Sequence, residues 1–194
     1  FVPKMRYTFT YQSPSTYRNP IYWQTTVSEA SNILAIGYMA FGQRWKETGK
    51  KMFKNPFAQF LKVETDLRKT WQVTEHSQIV GHINTGVVWA YGNAKSAPYS
   101  EQFYVGGANS IRAFNVRSIG PGSYYTYQSK LSYMDQTGDI KLLANIEYRP
   151  RIMGNLYGAL FLDAGNVWAL RNDGYRTGSQ LRLKNIFKET ALGT

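Results

Sequence analysis

Residues 57–91, FAQFLKVETDLRKTWQVTEHSQIVGHINTGVVWAY, decide the fold. Across 57–73, Phe57, Leu61, Val63, Leu67, Trp71 and Val73 fall on one side of a period-two alternation. Lys62, Glu64, Asp66, Arg68, Thr70 and Gln72 fall on the other. After the break TEHS (74–77), residues 78–91 repeat the pattern, with Ile79, Ile83, Val87, Trp89 and Tyr91 opposing His82, Asn84 and Gly86. Successive side chains of a strand point to opposite faces, so both runs read as strands with one apolar and one polar face. Ordinary strands run about 5–6 residues, whereas a strand that crosses a bilayer needs about 9–11. These two are of the second kind.

The polar face argues in the same direction. Lys62, Glu64, Asp66 and Arg68 would be costly in the dry interior of a soluble sheet. They suit the wet lumen of a membrane barrel, whose apolar face is turned to lipid. The rest of the chain repeats the design. In 5–12, Met5, Tyr7, Phe9 and Tyr11 alternate with Arg6, Thr8, Thr10 and Gln12. In 21–28, Ile21, Trp23, Thr25 and Val27 alternate with Tyr22, Gln24, Thr26 and Ser28. In 139–149, Ile140, Leu142, Ala144, Ile146 and Tyr148 oppose Asp139, Lys141, Asn145, Glu147 and Arg149. In 157–168, Leu160, Leu162, Ala164 and Trp168 oppose Tyr157, Phe161 and Asp163. A seventh strand starts within 188–194. The segment EASNILAIGYMAFGQRWK (29–46) breaks the alternation. Ile33, Ile36, Ala40 and Phe41 could share one face of a short helix there, the alternative being an extension of the preceding strand.

Connections alternate in length. QSPSTYRNP (12–20), TEHS and PRIMGN (150–155) are short, while 31–56, 92–138 and 169–187 are long. Outer-membrane barrels keep short turns on one side and long extracellular loops on the other. Trp23, Trp71, Trp89, Tyr91, Tyr148 and Trp168 gather near strand ends, as in the aromatic girdles of such barrels. The fold class expected is therefore an all-β, antiparallel transmembrane β-barrel wall of about seven strands, with a short helix near 30–46. There is no run of about 20 apolar residues for a membrane-spanning helix.

The net charge of +11 and the 15% aromatic content would also fit nucleic-acid binding. Their layout does not, because the basic residues are scattered over loops and polar strand faces rather than gathered in one patch. Cysteine is absent, which excludes disulfides and thiolate metal sites. His76 and His82 have no partners at metal-ligand spacing, and no metal or cofactor is expected. No G-x-S-x-G elbow is present, so nucleophilic hydrolysis has no carrier. GGANS lacks the Lys-Ser/Thr that would make it a phosphate loop. Glu64 and Asp66, flanked by Lys62 and Arg68, read as a charge ladder across the lumen rather than a catalytic pair. The basic run RWKETGKKMFK (44–54) carries Arg44, Lys46, Lys50, Lys51 and Lys54 on a loop of the extracellular side. It could meet lipopolysaccharide phosphates or a partner protein; a plain solvated loop is the alternative.

The long connection 92–138 contains EQFYVGGANSIRAFNVRSIGPG (101–122). This stretch resembles the signature loop of the BamA/TamA superfamily of outer-membrane assembly barrels: an aromatic, a Gly-Gly pair, Asn-Ser, then Val/Ile-Arg-Gly-Phe/Tyr. GDIKLLANIEYRP (138–150) and LYGALFLDAGNVW (156–168) resemble the two strands that follow that loop in the family. The three motifs cover about 95–168; residues 1–94 fit by their layout of strands and loops.

The resemblance implies a barrel of about 16 strands, of which 1–194 would be a partial domain lacking the periplasmic POTRA repeats, the first strands and the last strands. It implies that the loop folds back into the lumen and that its Arg, here Arg112, latches onto wall acids, here Glu147 and Asp163. Gly106 and Gly107 would make the turn of the descent. Phe114 matches the family's aromatic, but Ala113 stands where the family has glycine, which places the loop tip's geometry in question. The implied function is non-enzymatic: assembly and insertion of client β-barrels in the bacterial outer membrane. Its partners would be membrane lipid and lipopolysaccharide, unfolded outer-membrane clients, and accessory lipoproteins or other subunits, with no nucleic acid. The alternatives are a translocation pore of two-partner secretion type and the barrel anchor of a surface enzyme. The domains upstream would separate the three.

Overall fold

The computed structural model describes all residues except 1, 15, 43, 46, 47, 53, 125–135 and 173. One sheet dominates. Its long strands are β1 (Lys4–Gln12), β2 (Ile21–Ala30), β5 (Phe60–Thr74), β6 (Ser77–Ala90), β7 (Ile140–Met153) and β9 (Leu160–Trp168). The short β10 (Ala191–Gly193) follows β9, and β8 (Leu156–Tyr157) pairs with the end of β7. The strands β3 (Lys51–Met52) and β4 (Asn55–Pro56) form a separate pair. The order β1-β2-β5-β6-β7-β9-β10 keeps sequence neighbours adjacent, every pairing is antiparallel, and the sheet is not closed among the described residues. No helix of the described residues is long and apolar enough to cross a membrane.

Register makes the two faces continuous. Lys62 lies opposite Ser28 and Val88, Asp66 opposite Gln24 and Asn84, and Asn145 opposite His82 and Asp163. The polar residues of each strand therefore share one side. The other side is an exposed apolar belt that includes Met5, Tyr7, Phe9, Trp23, Trp71, Ile83, Trp89, Ile146, Leu160 and Leu162. A soluble protein rarely exposes so large a patch; a bilayer would cover it. Trp71 lies over Gly81 on that belt, a pairing in which an aromatic ring takes the space a side chain would fill.

The turns follow from local chemistry. Ser13 closes the first, its Oγ accepting from the Ile21 N–H while its own N–H reaches the Ile21 carbonyl. In TEHS the Thr74 and Ser77 hydroxyls bond at 2.8 Å and the His76 N–H donates to Thr74 Oγ1. Strand β7 runs further than the sequence implied, because Gly154 at φ 54 lets the chain reverse directly between Met153 and Leu156.

A helix does interrupt the first long connection: α1 (Asn32–Ala40). Its expected apolar face is not buried, however. Ile33, Ile36 and Phe41 are exposed, and Ala35 is the residue packed inside. Phe57, expected on the lipid face of β5, precedes the strand and is buried, 6.0 Å from the Tyr38 ring. Trp168 is also misplaced as a girdle residue. It is fully buried, with its indole Nε1 donating to Glu189 of α2 (Ile186–Glu189) at 2.7 Å.

The core lies between the polar side of the sheet and the descending loop. Val105, Ile111 and Ile119 of the loop pack with Val88, Leu143 and Val167 of the wall, and Phe103 joins them. Lys62 and Lys141 lie opposite Val88 and Val167, so charged and apolar residues share the inner wall at this level.

Candidate functional site

The descent of the loop begins at Phe103, whose N–H and carbonyl bond those of Gly138 at 2.9 Å. Its ring lies on Gly86, where a side chain of any size would collide with it. Lys62 Nζ stands 4.6 Å from the ring centroid and Lys141 Nζ 5.1 Å, so two ammonium groups flank one aromatic face system. Lys62 also donates to the Glu101 carbonyl at 2.9 Å, and Lys141 pairs with Glu64 at 2.7 Å.

Gly106 and Gly107 then turn the chain at φ 101 and 91, values open to glycine and strained for other residues. A Cβ on Gly106 would also strike the Asn115 carbonyl. Ser110 Oγ accepts from the Gly106 N–H, and the Gly107 N–H donates to the Phe114 carbonyl. The tip is therefore a closed turn, with Ile111 buried and Phe114 exposed.

Arg112 projects from this tip toward the wall. Its Nε donates to Asp163 Oδ2 at 2.9 Å and its Nη2 to Asp163 Oδ1 at 2.9 Å, a two-pronged pair. Its Nη1 donates to Glu147 Oε2 at 2.5 Å. The Arg112 backbone N–H adds a fourth bond, to Asp163 Oδ2 at 3.0 Å. Phe161, two residues before Asp163 and opposite Glu147 in register, places its ring 3.7 Å beneath the guanidinium carbon. Side-chain exposure is 27% for Arg112, 15% for Glu147 and 0% for Asp163, so the arginine caps a carboxylate that water does not reach. The bonds to Asp163 first, then those to Glu147, hold the Arg112 guanidinium above its ordinary pKa against the opposing effect of burial.

The cluster continues sideways. Asn145 Nδ2 donates to Asp163 Oδ1 and to the Ser110 carbonyl, both at 2.8 Å. Its Oδ1 meets His82 Nδ1 at 2.9 Å, and His82 Nε2 meets Asp66 Oδ2 at 2.8 Å. Asp66 also accepts from Asn84 at 3.0 Å and from Arg68 at 2.9 Å. Arg149 backs Glu147 at 2.5 Å. One connected polar network thus crosses β9, β7, β6 and β5 from the loop tip. Among the described residues, no group of His, Cys, Asp and Glu is gathered in a form that could hold a metal ion.

The structure brings Arg112, Glu147 and Asp163 together and sets Gly106 and Gly107 at the turn. Ala113 does not adopt a positive φ; among the described residues, Ser31, Lys54 and Arg117 are the non-glycine residues that do. Its methyl group instead fills space beside β10, where a side chain on Gly193 would meet Ala113 Cβ and Ile111. The alanine methyl is thus accommodated by a glycine on the neighbouring strand. The basic run is less uniform than its sequence implied. Arg44, Lys51 and Lys54 are exposed, while Lys46 lies outside the described residues. Lys50 is 3% exposed and its ammonium donates to the Trp45 carbonyl at 2.9 Å, so it is not available to a lipid phosphate.

Sequence reading missed Asn145, Phe161 and Phe103 as parts of the site. The first two share strand faces with Glu147 and Asp163, so parity alone could have nominated them. Phe103 carries no such signal, because Gly86 reveals its role only once the strands are in register.

The model of the Omp85 superfamily domain matches residues 38–188. The outer membrane protein assembly factor BamA of Neisseria meningitidis serogroup B is 31% identical over 109 residues, covering 53% of this chain and 13% of that protein. The sorting and assembly machinery component 50 homolog A of Xenopus laevis is 32% identical over 126 residues, covering 63% of this chain and 26% of its own length. The corresponding human homolog is 30% identical over 132 residues, again 26% of its length. The matched region therefore spans about a quarter or less of these relatives.

Proposed function

Because the chain belongs to the Omp85 superfamily, we propose that it forms the wall of an outer-membrane barrel that folds and inserts other β-barrel proteins. The relatives named for assembly come from a bacterium and from vertebrates, which supports an outer membrane as the setting. The bacterial cell is the finer reading, and contact of the exposed Arg44, Lys51 and Lys54 with lipopolysaccharide belongs to it. Clients would pair strand by strand with a barrel edge outside the sheet described above, where main-chain hydrogen bonds supply affinity without regard to sequence. Accessory subunits would act on parts of the whole protein beyond this region. No bond-making chemistry is assigned to the chain.

In this reading residues 1–194 are a partial barrel domain whose task is rigidity. The observation that carries it is the fourfold hold of Arg112 on Asp163 and Glu147. Charged hydrogen bonds in a water-poor site resist shear, and breaking such a pair costs about 3–5 kcal/mol. A loop so fixed keeps the wall's shape while the seam opens elsewhere.

The test is made on the full-length protein. Arg112→Ala should lower the temperature at which the barrel loses its compact mobility on gels and reduce client assembly in cells. Arg112→Lys should be impaired as well, since an ammonium cannot fork to two carboxylates. Wild-type behaviour of both variants in both measurements would remove the brace from the mechanism.

A further inference from the structure

The outer face carries a second constructed feature, at the end of the sheet from which the long loops leave. Leu61 and Trp89 are cross-strand neighbours there, and both point to the apolar belt. Tyr91 continues the same face beyond β6, with its ring 6.0 Å from Trp89 in an edge-on contact. Trp45 descends from the loop above and stacks on Tyr91 at 6.4 Å, the planes 16° apart. Lys95 and Arg171 close the other side, and the groove between encloses about 710 Å³.

The rings are held, not loosely displayed. Asn93 accepts from the Lys50 N–H and donates to the carbonyls of Lys50 and Phe57 at 2.9 and 2.7 Å. Lys50 in turn bonds the Trp45 carbonyl, so the loop bearing Trp45 is tied to the strand end. The Tyr91 hydroxyl donates to Asn32 Oδ1 at 2.8 Å.

Among the described residues, the cations of the groove have no carboxylate partner. Arg171 is exposed and donates to the backbone carbonyls of Lys95 and Ala90, both at 2.9 Å. Lys95 is exposed and its ammonium is engaged by no carboxylate among the described residues. The groove thus offers flat aromatic and aliphatic surface below and two exposed cationic side chains above. It opens directly onto the belt at Leu61 and Val87.

We propose that this groove binds a phosphate-bearing anionic lipid of the loop-side leaflet. Its acyl chain lies along Leu61 and Trp89, and its headgroup phosphate sits between Lys95 and Arg171. Tyrosine and tryptophan favour the level of the headgroups because they join an apolar body to a polar edge, and basic residues there attract anionic lipid. The site takes Trp45 and the strut Lys50 from the basic run 44–54, but its cations are Lys95 and Arg171 rather than those of that run. It rests on the sheet's place in an outer membrane but not on the assembly role.

The full-length protein is reconstituted in nanodiscs of mixed phosphatidylglycerol and phosphatidylcholine, and the lipids it retains on release are counted by native mass spectrometry. The wild type should retain phosphatidylglycerol in preference. Lys95→Gln should lower that preference by about fivefold, the factor one basic residue supplies at a membrane surface, and Lys95→Glu should abolish it. Trp45→Ala should reduce retention of both lipids. Free inorganic phosphate should not displace the retained lipid, since the chain contributes to binding. Compact, heat-modifiable gel mobility in every variant shows that the barrel is intact and inserted, and failure of the wild type on that count would strike the membrane reading itself. Equal retention of the two lipids by the wild type, or an unchanged preference in Lys95→Glu with mobility intact, would overturn the site.

Discussion

At the scale of single residues, the two acids that hold Arg112 are not equivalent. Asp163 is buried and accepts four hydrogen bonds, three from Arg112 and one from Asn145. Glu147 is partly hydrated and shares its charge between Arg112 and Arg149. Asp163→Asn should therefore destabilise the barrel by about 3–5 kcal/mol, and Glu147→Gln by about 1–2 kcal/mol. Unfolding temperatures of the two variants, compared by gel mobility, check the order. The Ala113–Gly193 contact permits a sharper trial. Gly193→Ala should cost about 1–3 kcal/mol through overpacking, and Ala113→Gly in the same chain should recover part of the loss. Full additivity of the two changes in thermal unfolding would show that the residues do not share the space. Parity set both acids on polar faces, and it was the family resemblance that brought the arginine to them. Asn145 lay on the same face but had no charge to draw attention. The contact of Ala113 with Gly193 was hidden, since it depends on which strand lies beside the tip.

At the scale of elements, the long strands were legible because a half-wet sheet writes itself as strict alternation. The failures fall where a second layer covers the sheet. Trp168 has the parity of a lipid-facing residue, yet α2 and its Glu189 enclose it. The apolar residues of the descending loop follow no period, so their packing against Val88, Leu143 and Val167 could not be foreseen. The Phe103–Gly86 contact makes this layer testable. Gly86→Val would put branched carbons where the Phe103 ring rests and should lift the start of the loop away from β6. The expected result is faster proteolysis within 92–138 on the intact barrel, with strand content by circular dichroism unchanged. Unaltered cleavage would mean that Phe103 is not the hinge of the descent. The segment bearing Trp45 should respond to Asn93→Ala in the same assay, because that side chain makes three of the bonds that fasten it.

At the scale of the whole molecule, the sheet is built inside out relative to a soluble protein, and substitutions should be tolerated accordingly. Ile83 is exposed near the middle of β6 on the apolar belt. Ile83→Arg should cost about 2–4 kcal/mol in a bilayer. Thr26→Arg, on the polar face of β2 opposite Glu64, should be near neutral. Urea unfolding of the full-length protein in lipid vesicles distinguishes them, and equal sensitivity at both sites would contradict the assignment of faces. The latch also has a meaning in time. Arg112 precedes Glu147 by 35 residues and Asp163 by 51, and the strands bearing those acids are made after the loop. Closing contacts over such separations is slow because the intervening chain must first be ordered. The loop therefore waits for its own wall. A barrel in which Arg112 has found both acids is one whose β7 and β9 are already paired in register, so the latch records completion of this part of the fold. A chain with β9 displaced by two residues would offer Phe161 or Gly165 where Asp163 belongs, and the loop would remain undocked.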